Sequence, residues 1–362
     1  MPLTEPQIQN VLREVIDPHT GKDWVTSRSA KNIRIEGNDV ALDVELGYPA
    51  KTQLEPIRAA VETKLRAITG IGKTQINVYF KIVSHAVQRN VKLIPGVINI
   101  VAVGSGKGGV GKSTTAVNLA LALAAEGAVV GILDADIYGP SIPLMLGMVG
   151  KPQSKDGKTI EPMEVHGIQA MSIGFLVDEN TPVVWRGPMA TGALQQLLKD
   201  TNWRELDYLV VDMPPGTGDI QLTLAQQVPV TGAVIVTTPQ DIALLDAVKG
   251  LKMFEKVGIP ILGIVENMSI HICSQCGHEE HMFGSGGGAR LAQDNGVEVL
   301  GSLPLDIRIR EQTDGGTPTV VADPNGRVAG IYRQIARKVA VKIAERAKDM
   351  SSKFPNIVVQ NT

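Results

Sequence analysis

A glycine-rich run in the first third of the chain constrains the fold more than any other feature. Residues 104–114 read Gly-Ser-Gly-Lys-Gly-Gly-Val-Gly-Lys-Ser-Thr, and residues 106–113 fit the pattern G-x-x-x-x-G-K-[ST]. An apolar, β-branched run precedes them, and an alanine- and leucine-rich stretch follows. A buried strand, a glycine-rich turn and a helix in this order form a P-loop, whose backbone N–H groups and helix N-terminus bind phosphate.

The P-loop pattern assigns a role to each part of the loop. The glycines let the backbone approach the phosphates, Lys112 reaches the β- and γ-phosphates, and the Ser113 hydroxyl binds Mg²⁺. We therefore predict an ATP site with Mg²⁺ here. The loop residues predicted to bind nucleotide are Gly106, Lys107, Gly108, Gly109, Val110, Gly111, Lys112, Ser113 and Thr114.

Length and composition narrow the class of protein. A chain of 362 residues suits two domains. The net charge of −2 provides no bulk basic field for nucleic acid or an anionic membrane. The two cysteines are too few for a disulfide framework, and we see neither a signal peptide nor an apolar stretch of membrane-spanning length. We expect a cytoplasmic protein with no nucleic-acid or membrane partner.

The first 85 residues predict a small α+β domain. Two stretches with helical spacing of apolar residues alternate with three stretches of period-2 alternation, in the order α-β-β-α-β. The two central strands form a hairpin around the turn at 36–39. Residues 86–96 have the mixed polarity of a linker.

Residues 97–350 predict an α/β fold with a doubly wound, mostly parallel sheet, and residues 351–362 a C-terminal tail. Apolar runs at 129–133, 208–211, 233–236 and 259–265 alternate with helical stretches. Ligands of such sheets bind at the carboxyl ends of the strands. Asp134, Asp136 and Asp212 follow predicted strands, so one site can collect them. Asp212, after Leu-Val-Val, fits a Walker B carboxylate that holds Mg²⁺.

Cys273 and Cys276 form a C-x-x-C pair. Such a pair is typical of three kinds of site: a redox dithiol, a zinc site or an iron–sulfur site. With His278 and His281 the pair could complete a zinc site within one chain. In a twofold dimer, two pairs would supply four thiolates, which suit either a [4Fe–4S] cluster or a zinc ion between chains. The thiolate count alone leaves the metal open.

The early lysine of the loop, Lys107, introduces a resemblance. The run 107–113 resembles the loop K-G-G-x-x-K-[ST] of the deviant P-loop family of dimeric ATPases. In that family this lysine crosses the dimer interface to the partner's nucleotide. The resemblance therefore implies a homodimer in which Lys107 acts in trans, alongside Lys112 in its own chain.

Further segments resemble the Mrp/ApbC/NBP35 branch, the iron–sulfur cluster carrier ATPases. They lie at 133–141, 185–189, 212–219, 237–240, 266–269, 273–278 and 283–288. The resemblance implies an ATPase that binds a [4Fe–4S] cluster at the dimer interface through Cys273 and Cys276. Its partners would be donor or scaffold proteins and recipient apo-proteins.

The same resemblance implies individual roles at the nucleotide site. Asp136 would position or activate the attacking water, and Asp134 would support the metal shell. Gly216 belongs to the second switch, whose backbone senses the γ-phosphate. The residues implied to form the base pocket are Asn267, which would read the adenine, and Pro304 and Asp306, which would close over it.

The N-terminal domain resembles the MIP18-like (DUF59) domain that often precedes such ATPases. Members often carry a reactive cysteine before a proline after the hairpin, but here residues 47–51 read Gly-Tyr-Pro-Ala-Lys. This domain therefore has no thiolate to offer, and we expect it to dock partners.

Two rival functions remain open from the sequence. One is a positioning or partitioning ATPase acting at membrane or DNA, favoured by an apolar stripe among basic residues at 331–347. The stripe equally fits a surface helix packed on the sheet. The other rival is a P-loop ATPase stabilised by zinc, without a cluster.

Overall fold

The computed structural model describes residues 3–84, 92–175, 187–273 and 276–351. The described chain forms two compact units, residues 1–83 and 84–362. Most of the segment 86–96, which the sequence predicts to be a linker, and almost all of the predicted tail lie outside the described residues, as do residues 185 and 186. The domain limits drawn from the sequence stay predictions.

The first unit has the predicted element order. Its elements are α1 (Glu5–Arg13), β1 (Ala30–Glu36), β2 (Asp39–Leu46), α2 (Leu54–Arg66) and β3 (Thr74–Phe80). β1 and β2 form the predicted antiparallel hairpin, and β3 pairs with β2 in parallel. The outcome follows from the alternating apolar residues, because the inward set on β2 and the apolar faces of both helices are buried together.

The stretch of this unit that lacks the family's cysteine has a structural role. Tyr48 is almost fully buried, and its hydroxyl donates to Oδ1 and Oδ2 of buried Asp17, each at 2.9 Å. The Thr20 hydroxyl donates to the same carboxylate at 3.0 Å. The phenol thus ties the segment after β2 to the loop after α1.

The second unit alternates strands and helices. Its elements are β4 (Val97–Gly104), α3 (Lys112–Ala125), β5 (Val130–Asp134), α4 (Ile142–Met145), β6 (Met163–Val165), β7 (Ile168–Ser172), α5 (Gly187–Asp200), β8 (Leu206–Asp212), α6 (Asp219–Gln227), β9 (Gly232–Thr237), α7 (Asp241–Lys256), β10 (Ile261–Ile272), β11 (Glu279–Glu280), α8 (Gly287–Asp294), β12 (Val299–Leu305), α9 (Ile307–Asp314), α10 (Thr319–Ala322) and α11 (Arg327–Ser351).

The strands form one mostly parallel sheet, as predicted. In the described residues its order is β11-β10-β9-β4-β8-β5-β7-β6, and β12 also pairs with β10. Only the pairs β10–β11 and β6–β7 are antiparallel among these strands. Because β4, β5 and β8 are parallel neighbours, their carboxyl ends meet at one edge, where Asp134 lies opposite Asp212 in the register.

Two helices complete the core around the site. α3 is buried along almost its whole length, which explains its near-uniform apolar composition. α11 packs against α3 and β12, and its stripe residues Ile335, Val339 and Ile343 are buried. The apolar stripe that favoured a membrane helix is therefore covered by the protein. No helix within the described ranges is long and apolar enough to cross a membrane.

Candidate nucleotide and cysteine sites

The P-loop joins β4 to α3 as predicted. Gly109 and Gly111 have φ angles of 79° and 82°, a left-handed conformation that glycine adopts without strain. A Cβ on Gly108 or Gly109 would meet no atom of the described residues within 4 Å, so the backbone is accessible to a ligand there. Gly106, in contrast, packs against the backbone of Asp246 on α7, where a side chain would clash.

Lys112 lies at the centre of a carboxylate cluster. Its Nζ lies 2.6 Å from Oδ1 of Asp212 and 3.8 Å from Oδ2 of Asp136, and it donates to Oγ of Ser113 at 3.2 Å. Lys112 is 5% exposed and Asp212 is fully buried. Asp134 lies opposite Asp212 in the register of β5 and β8, so three carboxyl groups and one ammonium group lie in this part of the site.

Burial raises the pKa of each of these carboxyls. The pKa of Asp134 rises to about 7, first through burial and then through the charge of Asp212. Burial also raises the pKa of Asp136 and of Asp212, while the Lys112 ammonium opposes both shifts. Such shifts mark a place where a cation would be stabilised.

The oxygens at this position fit Mg²⁺. Oδ2 of Asp212 is buried and has no hydrogen-bond partner among the residues described, and Ser113 lies beside the same lysine. Within those residues, no three His, Cys, Asp or Glu side chains are grouped to hold a metal ion by themselves. Mg²⁺ is typically bound through one or two protein oxygens plus phosphates and waters, and Ser113 and Asp212 match that requirement.

Asp134 has a structural role that the sequence did not indicate. Its Oδ2 accepts from the backbone N–H groups of Ser141 and Ile142, at 3.0 and 3.1 Å, and from the Ser172 hydroxyl at 3.0 Å. Its Oδ1 accepts from the Asp136 N–H at 3.2 Å. Asp134 thus holds the loop that carries Asp136 and the start of α4, and its predicted support of the metal shell stays a prediction.

The second switch contacts the P-loop close to the early lysine. The Gly216 N–H donates to the Ser105 carbonyl at 3.0 Å, and the Ser105 hydroxyl donates to the Lys107 carbonyl at 2.9 Å. The Lys107 side chain is half-buried. These contacts join Gly216 to the P-loop, and the roles of Gly216 and Lys107 at the phosphates stay predictions.

The predicted base-pocket residues are only partly together. Asn267 is buried, and its amide donates to the P-loop carbonyl of Val110 at 2.9 Å. Pro304 lies inside β12 rather than in a loop, opposite Ile270. Asp306 caps α9, accepts from the Arg308 N–H at 2.9 Å and lines a cavity of about 120 Å³. The adenine contact stays a prediction.

The cysteine pair follows the end of β10, in a hairpin. β10 pairs antiparallel with β11, with His271 opposite Glu280. The Cys273 N–H donates to the His278 carbonyl at 2.9 Å, and the Gly277 N–H donates to the Cys273 carbonyl at 2.9 Å. Cys273 is half-buried and Cys276 is exposed. The pair is therefore reachable from solvent.

The histidines of the predicted zinc alternative do not join the cysteines. In the described part of the chain, Cys273, Cys276, His278 and His281 form no group able to hold a metal ion. His281 instead pairs through Nδ1 with the Ser269 carbonyl at 2.9 Å. Each chain thus presents a pair of thiols without an adjoining set of histidine ligands.

Comparison with known families decides the class. Residues 96–340 match the family described as NUBPL iron-transfer P-loop NTPase, and residues 5–78 match the family described as iron-sulfur cluster assembly protein. The chain belongs to the iron-transfer P-loop NTPases. The predicted family and fold class are thereby confirmed, with a nucleotide-binding P-loop.

Individual relatives have names that agree with this family. An iron-sulfur cluster carrier protein of Haemophilus influenzae is 52% identical over 338 residues, covering 93% of this chain and 91% of the relative. An iron-sulfur cluster carrier protein of Pseudomonas fragi is 61% identical over 271 residues, covering 74% of this chain and 94% of the relative. A nucleotide-binding protein of Archaeoglobus fulgidus, solved with ADP, is 39% identical, covers 64% and 90%, and has a TM-score of 0.57.

Proposed function

We propose that this iron-transfer P-loop NTPase hydrolyses ATP and carries a [4Fe–4S] cluster, bound between two copies of the chain, to apo-proteins. The observation that supports it most directly is the position of Cys273 and Cys276. Two reachable thiols at a hairpin are half of the four-thiolate set that such a cluster requires. A second copy related by twofold symmetry would supply the other half.

The charged residues of the P-loop suit phosphoryl transfer. Bound Mg²⁺, held by Ser113 and through water by Asp212, would neutralise charge on the β- and γ-phosphates. Lys112 would bind the same phosphates, exchanging its carboxylate partner for them. Asp136, which is 9% exposed and lies 3.8 Å from the Lys112 ammonium, would accept a hydrogen bond from the attacking water. Lys107 would reach the partner chain's nucleotide.

The two rivals have less support from this chain. The membrane hypothesis depended on the apolar stripe of α11, which is buried against the sheet. The hypothesis of a structural zinc within one chain depended on His278 and His281, which the described residues do not bring into a ligand group with the cysteines. A zinc ion shared between two chains is distinguished from a cluster by metal analysis. We also propose a cytoplasmic location, and docking of donors or recipients on the first unit.

The test is anaerobic reconstitution with iron and sulfide. The wild-type chain should become brown and show the visible absorption of an iron–sulfur cluster. A variant with both Cys273→Ala and Cys276→Ala should stay colourless. The ATPase rate of the double variant should largely survive, because neither cysteine belongs to the P-loop or to the other predicted phosphate-binding motifs. A colourless wild-type protein would contradict the carrier function while leaving the ATPase function intact.

A further inference from the structure

The segment that carries the cysteines begins and ends on neighbouring points of the second unit. Residues 268–273 and 276–286, here called the cysteine segment, follow Asn267 on β10 and precede α8. Glu266 is buried, and its Oε1 accepts from the Gly288 N–H in the first turn of α8 at 2.7 Å. One side chain therefore joins the two roots of the segment.

Both roots also contact the elements that hold the P-loop. At the first root, the Asn267 amide donates to the Val110 carbonyl. At the second root, Gly287 packs closely on α7 and on Pro239, two residues before α7. A Cβ on Gly287 would lie 2.7 Å from Leu244 Cδ1 and 2.8 Å from the Pro239 carbonyl oxygen.

The contacts then return to the start of the P-loop. α7 carries Asp246, whose backbone packs against Gly106 with no room for a side chain. The P-loop is thus connected to each root, through Asn267 on one side and through α7 and Gly287 on the other. Glu266 closes this ring of contacts, and a Cβ on Gly288 would lie 3.0 Å from its Oε1.

A local backbone distortion lies at the first root. Met268 has a φ of 55°, which is unusual for a residue with a side chain, and the β10–β12 register shifts between Glu266 and Ile270. Such bulges redirect side chains near functional sites. Here the bulge separates Asn267, which contacts the P-loop, from the part of β10 that leads to Cys273.

From this ring of contacts we propose that Glu266 is a positioning residue. It couples nucleotide occupancy of the P-loop to the position of the cysteine pair and so to the accessibility of its thiols. The inference rests on the proposed carrier function for its purpose. Its physical content is independent of any cluster: a rearrangement of the P-loop displaces both roots together only while Glu266 joins them.

The test measures the exposed thiol of Cys276 without iron. Its alkylation by iodoacetamide is followed by mass spectrometry with and without Mg–ADP. In the wild-type chain, Mg–ADP should change the alkylation rate of Cys276 at least about fivefold, which is the lower end of typical coupling between two binding sites. In the Glu266→Ala variant, the ratio of the alkylation rates with and without Mg–ADP should fall close to one, although the variant should still bind Mg–ADP. Glu266→Gln should keep most of it, since Oε1 of glutamine still accepts from Gly288.

Controls separate coupling from general loosening. Glu255→Ala removes an exposed glutamate paired with Lys252 on α7 and should leave the ratio unchanged. If Glu266→Ala does not fold, Gly288→Ala, which forces the same contact apart, should lower the ratio instead. The proposal would be overturned if Mg–ADP did not change the alkylation rate of the wild-type chain. It would also be overturned if Glu266→Ala and Gly288→Ala both kept the wild-type ratio of rates. Absence of a cluster in reconstitution would contradict only the carrier function.

Discussion

The ammonium group of Lys112 lies 2.6 Å from Oδ1 of Asp212, so the cation expected at the phosphates is paired with the carboxylate expected at Mg²⁺. The other oxygen of Asp212 has no hydrogen-bond partner among the described residues. We therefore expect nucleotide binding to exchange this ion pair for two new ones, between Lys112 and phosphate and between Asp212 and hydrated Mg²⁺. Both partners are buried, so breaking the pair without replacement is costly.

Lys112→Ala should abolish ATP hydrolysis, because it removes the charge that stabilises the β- and γ-phosphates. We expect a loss of about 10³-fold or more, the size of comparable cationic contributions to phosphoryl transfer. The measurement is phosphate release at saturating ATP. Lys252→Ala, which removes an exposed lysine of α7, is the matched control and should keep full activity. Near-normal turnover of Lys112→Ala would refute the P-loop assignment.

Lys107→Ala should also lose most activity if Lys107 acts on the partner's nucleotide. Mixing it with Lys112→Ala should then restore part of the rate, because a mixed dimer has one site with both lysines intact. The rate is measured across mixing ratios, with subunit exchange followed by mass spectrometry of isotope-labelled chains. If exchange occurs without any rescue, Lys107 works within its own chain.

The raised pKa of Asp134, about 7, makes stability depend on pH. Its ordinary value is near 3.8, so the folded chain binds the proton more tightly than the unfolded chain, and stability is lost as pH rises from about 4 through 7. One such group contributes a slope of up to about 1.4 kcal/mol per pH unit. Asp134→Asn should therefore show a weaker fall in melting temperature between pH 5 and 7.5.

The control for this slope is Asp156→Asn. Asp156 is exposed, and backbone N–H groups of Thr159 and Lys158 lower its pKa to about 2. This value lies below the range of pH 5 to 7.5 in which melting is measured. Its variant should keep the wild-type dependence. An Asp134→Asn variant with the full wild-type slope would show that other groups cause it, such as Asp136 and Asp212, whose pKa values burial also raises.

Truncation before residue 96 should leave a folded ATPase. The described residues divide at 83 and 84 into two units, and every residue of the predicted nucleotide site lies in the second. Residues 96–362 should melt cooperatively and hydrolyse ATP near the full-length rate, while transfer of a cluster to recipients should slow. An insoluble or inactive product would mean that the two units depend on each other to fold.

Much of the fold follows from local patterns, and the differences have physical reasons. Strand β10 runs to Ile272, whereas the apolar run predicts an end near 265, because Glu266 and Asn267 are polar but buried and hydrogen-bonded. Strands β6, β7 and β11 are short or less strictly apolar, so periodicity does not reveal them.

The chemistry of the site was more predictable than its internal bonding. The P-loop pattern and the strand-ending aspartates locate the cluster around Lys112 because parallel strands bring their carboxyl ends together. The capping of α4 by Asp134 and the contact of Asn267 with Val110 depend on long-range packing. Glu266 lies in the segment 266–269 that resembles the carrier branch, but nothing in the local sequence indicates that its side chain bonds to the first turn of α8.

The central claim is that two chains share one cluster through four thiolates. Its most direct test is metal analysis of the reconstituted protein, with iron, sulfide and zinc counted per chain and the oligomeric mass measured on the same sample. We predict about four iron atoms per dimer, as a [4Fe–4S] unit with four cysteine ligands requires, lost when either Cys273 or Cys276 becomes alanine. One tightly bound zinc per monomer, retained through both cysteines with His278 and His281, would contradict it.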